Sequence, residues 1–368
     1  MVTFIEDAGR ALGPIVVVFL GAALLAYLVT PVVRRVVLRY GIVDRPGWRR
    51  VNTRAVPRAG GVAIAVAFLL VGAGFVILNE RVGWVPEVLT IADSDMIALF
   101  LGGAVAAGIG AVDDLLDLRA RWQLLGQLAL AALAVALGIG VDLIANPVGG
   151  VFRFSEAFSV GFTVFWIVGM INSINWIDGL DGLSTGIALI AAVTLGVISL
   201  TTQVSQPLIA VLCFALAGAL AGFLRWNFHP ATIFSGTSGV QFVGFTLAVL
   251  SILGSAKVAV ALLVLGVPII DTFWIIVRRV LDGRSPFTPD RSHIHHRLLD
   301  LGLSHRRTVL VIYGICIVLG LFALLLSEAQ VYAFLGVFVV SGLILFGPTR
   351  GAFRRPEELE AEAYEADD

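Results

Sequence analysis

The sequence predicts an all-α, polytopic integral membrane protein with about eleven transmembrane helices. Of its 368 residues, 58% are hydrophobic and only 14% are charged, and the mean hydropathy is +0.96. A soluble domain normally carries charge on about a quarter of its residues. The third observation is a series of apolar runs, most of them close to the roughly 20 residues that cross a bilayer as a helix.

Eleven such runs follow one another along the chain. The first is preceded by acidic residues and is followed by no small-residue cleavage site, so we expect it to be retained as a span. Residues 1–348 are predicted to form a single membrane-embedded domain, and the acidic tail 349–368 is predicted to be disordered. The predicted spans are 11–33, 60–79, 96–112, 123–141, 158–174, 183–201, 207–226, 238–254, 257–277, 308–326 and 330–348.

The distribution of Lys and Arg predicts the orientation of these spans. Twenty-one of the 25 basic residues fall in alternate gaps, beginning with residues 34–59, and the other four fall on the opposite side. Positive charge collects in cytoplasmic loops. The N-terminus is therefore predicted to lie outside and the C-terminal tail in the cytoplasm of a cell whose plasma (inner) membrane holds the protein.

Five polar stretches are predicted to lie on that cytoplasmic face. Ionisable groups at membrane depth are expensive and usually mark a functional site. We therefore expect the stretches to form one site at the membrane surface. They cover residues 43–61, 111–127, 171–183, 225–239 and 278–307.

A pair of carboxylates ends the third predicted span. Asp113 and Asp114 are adjacent, and Asp117 follows one helical turn after Asp113. Adjacent carboxylates repel each other unless a cation or a proton joins them. Hard oxygen ligands without a nearby cysteine favour Mg²⁺ or Mn²⁺ over zinc. The alternative, which the pair alone leaves open, is a solvated end of a span at the water interface.

The stretch INSINWIDGLDGL, residues 171–183, carries four polar side chains at a constant spacing of three: Asn172, Asn175, Asp178 and Asp181. This spacing keeps them near one face of a helix, and the glycine after each aspartate favours a break into a turn. Amides and carboxylates so arranged can hydrogen-bond a sugar or a base and help to hold a metal. The alternative is a polar seam between membrane helices.

Two further stretches indicate phosphate chemistry. Four of the five histidines lie in one basic loop, namely His293, His295, His296 and His305. Crowded cationic and imidazole groups suit a polyphosphate, with a zinc site or a contact with lipid head groups as alternatives. The stretch FSGTSG, residues 234–239, offers small and hydroxyl residues at a helix start, which is typical of a phosphate cradle.

The order of these motifs resembles that of the polyprenyl-phosphate N-acetylhexosamine-1-phosphate transferases. These membrane enzymes move a sugar phosphate from a UDP-sugar to a polyprenyl phosphate, release UMP and use Mg²⁺. The resemblance rests on VDRPGWR, PRAGG, the Asp pair, N-x-x-N-x-x-D-G-L-D-G, RWN, IF-x-G and HIHHRLLDLGLSHR. PIIDTFWIIVRR and HIHH resemble the branch that uses GlcNAc-1-phosphate. The phospho-MurNAc-pentapeptide branch, which stays open as an alternative, carries a different histidine triplet.

The resemblance implies a role for each motif. The expected catalytic residues are Asp113, Asp114, His293, His295 and His296. The expected substrate-binding residues are Arg58, Asn172, Asn175, Asp178, Asp181, Asn227 and Phe234. The expected ligands of Mg²⁺, or of Mn²⁺, are Asp113, Asp114, Asp178, Asp181 and Thr237.

Three positions depart from the family pattern. The family usually has aspartate, as a metal ligand, where Thr237 stands, and lysine where Gln123 stands. Histidine is common in this branch where Asn52 stands. These departures leave room for a catalytically impaired membrane scaffold.

The expected partners are a UDP-sugar, a polyprenyl phosphate and membrane lipids, with no nucleic acid and with a homodimer left open. The expected reaction is attack of the lipid phosphate on the β-phosphorus of the UDP-sugar, as the first step of cell-envelope polysaccharide synthesis. A transporter is a further alternative. It would need polar groups near mid-membrane, where Asp271 is the acidic residue predicted to lie well inside a span.

Overall fold

The computed structural model describes residues 8–45, 54–85, 92–145, 151–201, 204–253, 261, 265–281, 283 and 293–325. The last predicted span, the acidic tail, Asn52 and residues 284–292 lie outside these ranges. The described helices are α1 (Ala8–Arg39), α2 (Gly61–Val82), α3 (Asp93–Leu116), α4 (Ala120–Ala136), α5 (Glu156–Ile177), α6 (Leu183–Ser199), α7 (Pro207–Asn227), α8 (Gly236–Ile252), α9 (Gly266–Leu281), α10 (Ile294–Asp300) and α11 (His305–Leu325).

Two short antiparallel ladders accompany the helices in the described part of the chain. Strand β1 (Val43–Asp44) pairs with β2 (Val56–Pro57), and β3 (Leu143–Ala145) pairs with β4 (Val151–Arg153). The first ladder lies between α1 and α2, within the first polar stretch. It brings the chain back to the start of α2, from which Arg58 reaches the site described below.

Six of the described helices are long and apolar enough to cross a membrane, namely α1, α2, α3, α5, α7 and α11. Helices α4, α6 and α8 are apolar but shorter. The all-α membrane architecture is therefore confirmed, whereas the number of eleven spans stays a prediction. Helix α9 covers the second part of the predicted span 257–277, and most of residues 254–264 lie outside the described ranges.

The centre of the bundle is formed by α7 and α8, which are buried along most of their length. A helix that is apolar on all sides belongs in such a position. Helix α1 lies along α7 at very short range: a Cβ atom on Gly218 would lie 2.2 Å from the carbonyl oxygen of Phe19, and one on Gly222 would lie 2.1 Å from that of Ala23. Small residues four apart allow this approach between membrane helices.

The beginning of α8 is held between α2 and α3 by two more close contacts. A Cβ atom on Gly61 would lie 2.0 Å from the Cα of Gly239, and a Cβ atom on Gly110 would lie 2.4 Å from the Cα of Ser238. Only glycine permits backbones to touch in this way. The start of α2, the end of α3 and the start of α8 therefore meet at one point.

Candidate functional site

The five polar stretches meet at one end of the helical bundle, as the sequence predicts. Each stretch contacts at least one other through a hydrogen bond or a close packing contact. The contacts are Arg58 with the carbonyl of Asp114, the Asp114 carboxylate with the N–H of Thr237, the Ser235 hydroxyl with Asp178, and the His295 ring with Gly179. The motifs are thus brought together into one region.

Asp114 caps the N-terminus of α8. Its side chain is only 2% exposed, and its two oxygens accept hydrogen bonds from the backbone N–H groups of Thr237 at 2.8 Å and Ser238 at 3.0 Å. A carboxylate at this position satisfies free N–H groups and interacts favourably with the helix dipole. Gly236 is required beside it, because its φ is +69° and a Cβ atom there would lie 2.6 Å from both oxygens.

The phosphate cradle predicted for residues 234–239 stays a prediction, and fewer N–H groups are free for it than the sequence suggests. Two of the N–H groups at the start of α8 are already occupied by the carboxylate of Asp114. Sequence spacing could not show this, since the capping residue lies on another helix.

Asp113 is held mainly by Gln123. The Gln123 amide nitrogen donates to both carboxylate oxygens at 3.1 Å, and the N–H of Leu118 donates to Oδ1 at 2.9 Å. Asp113 is 5% exposed. The alternative of a solvated span end is thus excluded for both carboxylates. Gln123, where the family usually has lysine, supplies hydrogen bonds without supplying a positive charge.

Arg58 binds the end of α3 rather than the buried carboxylates. Its guanidinium donates to the carbonyl oxygen of Asp114 at 2.9 and 3.1 Å and to Oδ1 of Asp117 at 2.7 Å. Asp117 is 80% exposed, so this ion pair contributes little energy of its own. A cation at a helix C-terminus is favourable, and it stands next to the carboxylate pair.

The donor set of Asp113 and Asp114 fits a hard divalent cation. In the described part of the chain, the hydrogen-bond donors to the two carboxylates are neutral groups, namely backbone N–H groups, the Gln123 amide and the Ser238 hydroxyl. Two adjacent buried carboxylates without a cation are unfavourable. An ionised carboxylate has about four acceptor positions, so each retains oxygen lone pairs for a metal. Mg²⁺ commonly binds one or two carboxylates and keeps several waters.

The turn predicted at 178–182 is present. Helix α5 ends at Ile177, and α6 begins after Gly182, whose φ is +79°. The carboxylate of Asp178 accepts hydrogen bonds from the hydroxyls of Ser184 and, at 2.8 Å, Ser235. Burial raises the pKa of Asp178 above its ordinary value, and the two hydroxyls partly offset this effect.

Asp181 binds His229 on the loop between α7 and α8. Its Oδ2 lies 2.7 Å from Nδ1 of His229 and accepts the N–H of Ala231 at 3.0 Å. The ring of His305 stacks on that of His229, with 4.1 Å between centroids. His229 is not among the residues predicted from the sequence, although it lies in a polar stretch and is the one histidine outside the basic loop.

Only one of the four histidines that motivated the zinc alternative, His305, joins a cluster of metal-type ligands among the described residues. Among the described residues, the group that brings three metal-type ligand atoms within 4.8 Å of one another consists of Asp181, His229 and His305. The imidazoles of His229 and His305 are nearly parallel, with 20° between planes. A metal binds in the plane of an imidazole ring, so this stacked arrangement is a poor start for a shared ion.

Several expected substrate-binding residues form internal hydrogen bonds. The amide of Asn172 donates to Gln127 Oε1 at 2.7 Å, which is the predicted alternative of a seam between helices. Asn227 is buried, accepting from Thr185 and donating to the carbonyl of Ile233. The backbone of Phe234 pairs with residues before α2, and Asn175 lies half-buried at the end of α5. Their contacts with a substrate stay predictions.

The histidine motif forms the short helix α10 and its N-cap. His293 precedes the helix, and its Nδ1 lies 2.7 Å from Oδ2 of Asp271 on α9. His295 is 1% exposed, and neither of its ring nitrogens has a hydrogen-bond partner among the described residues. Burial lowers its pKa well below the ordinary value, and the neighbouring imidazoles lower it further. His296 is also buried.

His295 packs against the backbone of the turn after α5. A Cβ atom on Gly179 would lie 2.4 Å from Nε2 of His295, so glycine is required at this contact. Asp271 is predicted to lie well inside a span and is not among the site residues predicted from the sequence. The structure instead places its carboxylate at the histidine helix.

Comparison with known proteins agrees with this architecture. Residues 96–255 match glycosyl transferase family 4. A Bacillus subtilis (strain 168) protein named as a probable undecaprenyl-phosphate N-acetylglucosaminyl 1-phosphate transferase is 37% identical over 343 residues, covering 90% of each chain. The decaprenyl-phosphate N-acetylglucosaminephosphotransferase of Mycobacterium tuberculosis (strain ATCC 25618 / H37Rv) is 34% identical over 335 residues, covering 84% of this chain and 81% of the relative. A Thermotoga maritima undecaprenyl-phosphate alpha-N-acetylglucosaminyl 1-phosphate transferase is 28% identical over 324 residues, covering 88% of this chain and 94% of the relative.

Proposed function

Because the chain belongs to the polyprenyl-phosphate N-acetylhexosamine-1-phosphate transferases of glycosyl transferase family 4, we propose that it transfers GlcNAc-1-phosphate from UDP-GlcNAc to undecaprenyl or another polyprenyl phosphate. The relatives' names supply the polyprenyl acceptor and the GlcNAc-phosphate group. The observation that carries the proposal is the buried pair Asp113 and Asp114, which lies where the first, second and fourth polar stretches meet.

The proposed step is a single phosphoryl substitution. An oxygen of the lipid phosphate forms a bond to the β-phosphorus of UDP-GlcNAc, the bond from that phosphorus to the bridging oxygen breaks, and UMP leaves with the electron pair. A phosphate monoester has a second pKa near 6, so the acceptor is already largely dianionic at neutral pH. The protein's task is then mainly positioning and charge neutralisation.

Asp113 and Asp114 would hold Mg²⁺, or Mn²⁺, with Thr237 supplying at most a neutral hydroxyl. A bound divalent ion supplies charge neutralisation on the diphosphate. Asp178 and Asp181 are proposed mainly as substrate-binding residues and only secondarily as metal ligands. Their carboxylates already accept hydrogen bonds from Ser184, Ser235 and the loop before α8.

The histidine helix α10, with His293 before it, is proposed to bind the diphosphate on the side away from the metal. His293 and His296 would offer imidazole N–H groups to phosphate oxygens, as the family resemblance implies. His295, whose pKa is lowered by burial, is proposed to act as a neutral side chain that holds α10 against the turn at Gly179.

The site is proposed to open to the cytoplasm, where UDP-sugars are made, with the prenyl chain between helices in the plasma membrane. The distribution of Lys and Arg supports this orientation. Residues 1–348 would form one catalytic domain, and the product would start an envelope polysaccharide. The homodimer stays a prediction.

Purified protein in detergent, with undecaprenyl phosphate, Mg²⁺ and a panel of labelled UDP-sugars, tests this function after lipid extraction. UDP-GlcNAc is expected to give labelled lipid. Transfer from UDP-MurNAc-pentapeptide alone would assign the chain to the other branch. No transfer from any donor would favour the impaired scaffold that Thr237 and Gln123 leave open.

A further inference from the structure

We propose that Asp271 is a positioning residue for His293, an inference that rests on the proposed function of the histidine helix. Asp271 is 4% exposed on α9. Its Oδ2 lies 2.7 Å from Nδ1 of His293, and its Oδ1 accepts the backbone N–H of Ile294 at 3.0 Å. One buried carboxylate therefore holds both the ring of His293 and the first turn of α10.

The contact fixes which ring nitrogen of His293 is occupied by Asp271 and leaves Nε2 for another partner. An ionised carboxylate only accepts hydrogen bonds, so Nδ1 must carry the proton that lies between the two residues. In the neutral ring, Nε2 then carries the lone pair; in the cation, it carries the second proton. A carboxylate behind an imidazole sets tautomer and orientation in this way in other catalytic and metal sites.

Aromatic contacts hold the same ring from its sides. Trp176 meets His293 edge to face at 6.5 Å between centroids, and His295 stacks on it at 5.5 Å. The guanidinium of Arg279 lies 5.6 Å from the ring centroid of Trp176. His293 is therefore fixed in position, and Asp271 determines its protonation pattern.

Asparagine separates this role from simple capping of α10. In Asp271→Asn, the amide oxygen can still accept the N–H of Ile294, so the cap is retained. Its NH₂ group, however, is a donor that faces Nδ1 of His293 and requires a lone pair there. The proton of a neutral ring moves to Nε2, and Nε2 changes from a hydrogen-bond acceptor to a donor. Asp271→Ala removes both contacts.

The test combines ¹⁵N NMR of histidine-labelled protein with transferase kinetics, using wild type, Asp271→Asn, Asp271→Ala and His293→Ala. The His293 signals are assigned by their loss in His293→Ala. The wild-type ring is expected to be protonated at Nδ1, and the Asp271→Asn ring at Nε2. This readout does not need activity, so it stands even if the wild type transfers no sugar phosphate and the proposed function fails.

In the active enzyme, Asp271→Asn is expected to lower kcat about 10- to 100-fold, which is the range found when a carboxylate that orients a metal-binding histidine is removed. The KM and the unfolding temperature should change little. In the His293→Ala background the same substitution should have no further effect. An unchanged His293 tautomer, wild-type kcat in Asp271→Asn, or an equal loss in both backgrounds would overturn the proposal.

Discussion

Oδ1 of Asp114 lies 2.8 Å from the backbone nitrogen of Thr237. The second member of the carboxylate pair thus caps the helix turn on which the family usually carries a third acidic residue. In this protein that residue is threonine, and the turn bears one negative charge fewer. The same contact joins the end of α3 to the start of α8, so charge at this point bears on helix packing and on the proposed metal binding.

Removing the charge of either paired aspartate should abolish most activity but should affect folding unequally. Asp113→Asn and Asp114→Asn are each expected to cut turnover at least about 100-fold, or roughly 2.7 kcal/mol of transition-state stabilisation. Asp114→Asn should also destabilise the protein by about 1–3 kcal/mol, because the amide NH₂ replaces one of the two oxygens and leaves a buried backbone N–H without its acceptor. Turnover and thermal unfolding in detergent measure the two effects.

Asp93→Asn is the matched control, since Asp93 is exposed at the opposite end of α3. It should leave turnover near wild type. Near-normal turnover in Asp113→Asn or Asp114→Asn would remove that residue from the proposed centre.

Restoring the family's acidic residue should strengthen metal binding. Thr237→Asp is expected to lower the Mg²⁺ concentration that gives half-maximal rate, because a carboxylate is a stronger Mg²⁺ ligand than a hydroxyl. In the control Thr237→Asn, the new side chain has the shape of aspartate without its charge. This variant should not lower the Mg²⁺ concentration that gives half-maximal rate. Titration of turnover with Mg²⁺ measures the effect. Metal-independent turnover, or a higher Mg²⁺ requirement in Thr237→Asp, would show that the metal binds elsewhere.

His295 should make the protein less stable in acid. Its folded pKa is lowered by burial, so below about pH 6.5 the unfolded chain takes up a proton that the folded ring does not. Its contribution to stability is therefore full above that pH and is lost below it, by at most about 1.4 kcal/mol per pH unit. His295→Gln, which does not titrate, should show a smaller loss of unfolding temperature between pH 7.5 and about pH 5. An equal loss in both proteins would argue against a neutral buried His295.

The distribution of basic residues predicts that Arg153 and Arg355 lie on opposite sides of the membrane. A reporter fused after Arg355 should report the cytoplasm, and one inserted near Arg153 should report the exterior. Arg153 lies at the end of β4, away from the candidate site in sequence. The same side at both positions would contradict the predicted topology.

The sequence predicted the features that depend on local pattern. The break between Ile177 and Leu183 follows from two Asp-Gly steps, and the long apolar helices follow from hydropathy. The hydrogen-bond partners of the polar side chains could not be predicted from the sequence, because they are set by contacts between distant segments. Asp114 meets α8 through glycines on three helices, and Asp271 meets His293 across 22 residues of sequence. The alternative of a solvated span end at Asp113 and Asp114 could not be excluded from the sequence for the same reason.

The central claim is transfer of a sugar phosphate rather than of a sugar, and the fate of the β-phosphorus tests it most directly. UDP-GlcNAc labelled with ³²P at the β-position is incubated with purified protein, undecaprenyl phosphate and Mg²⁺, and the organic and aqueous phases are counted. The account predicts that the label enters the lipid phase in equal amount to the UMP released. Label that stays in the aqueous phase as UDP while GlcNAc enters the lipid would contradict it.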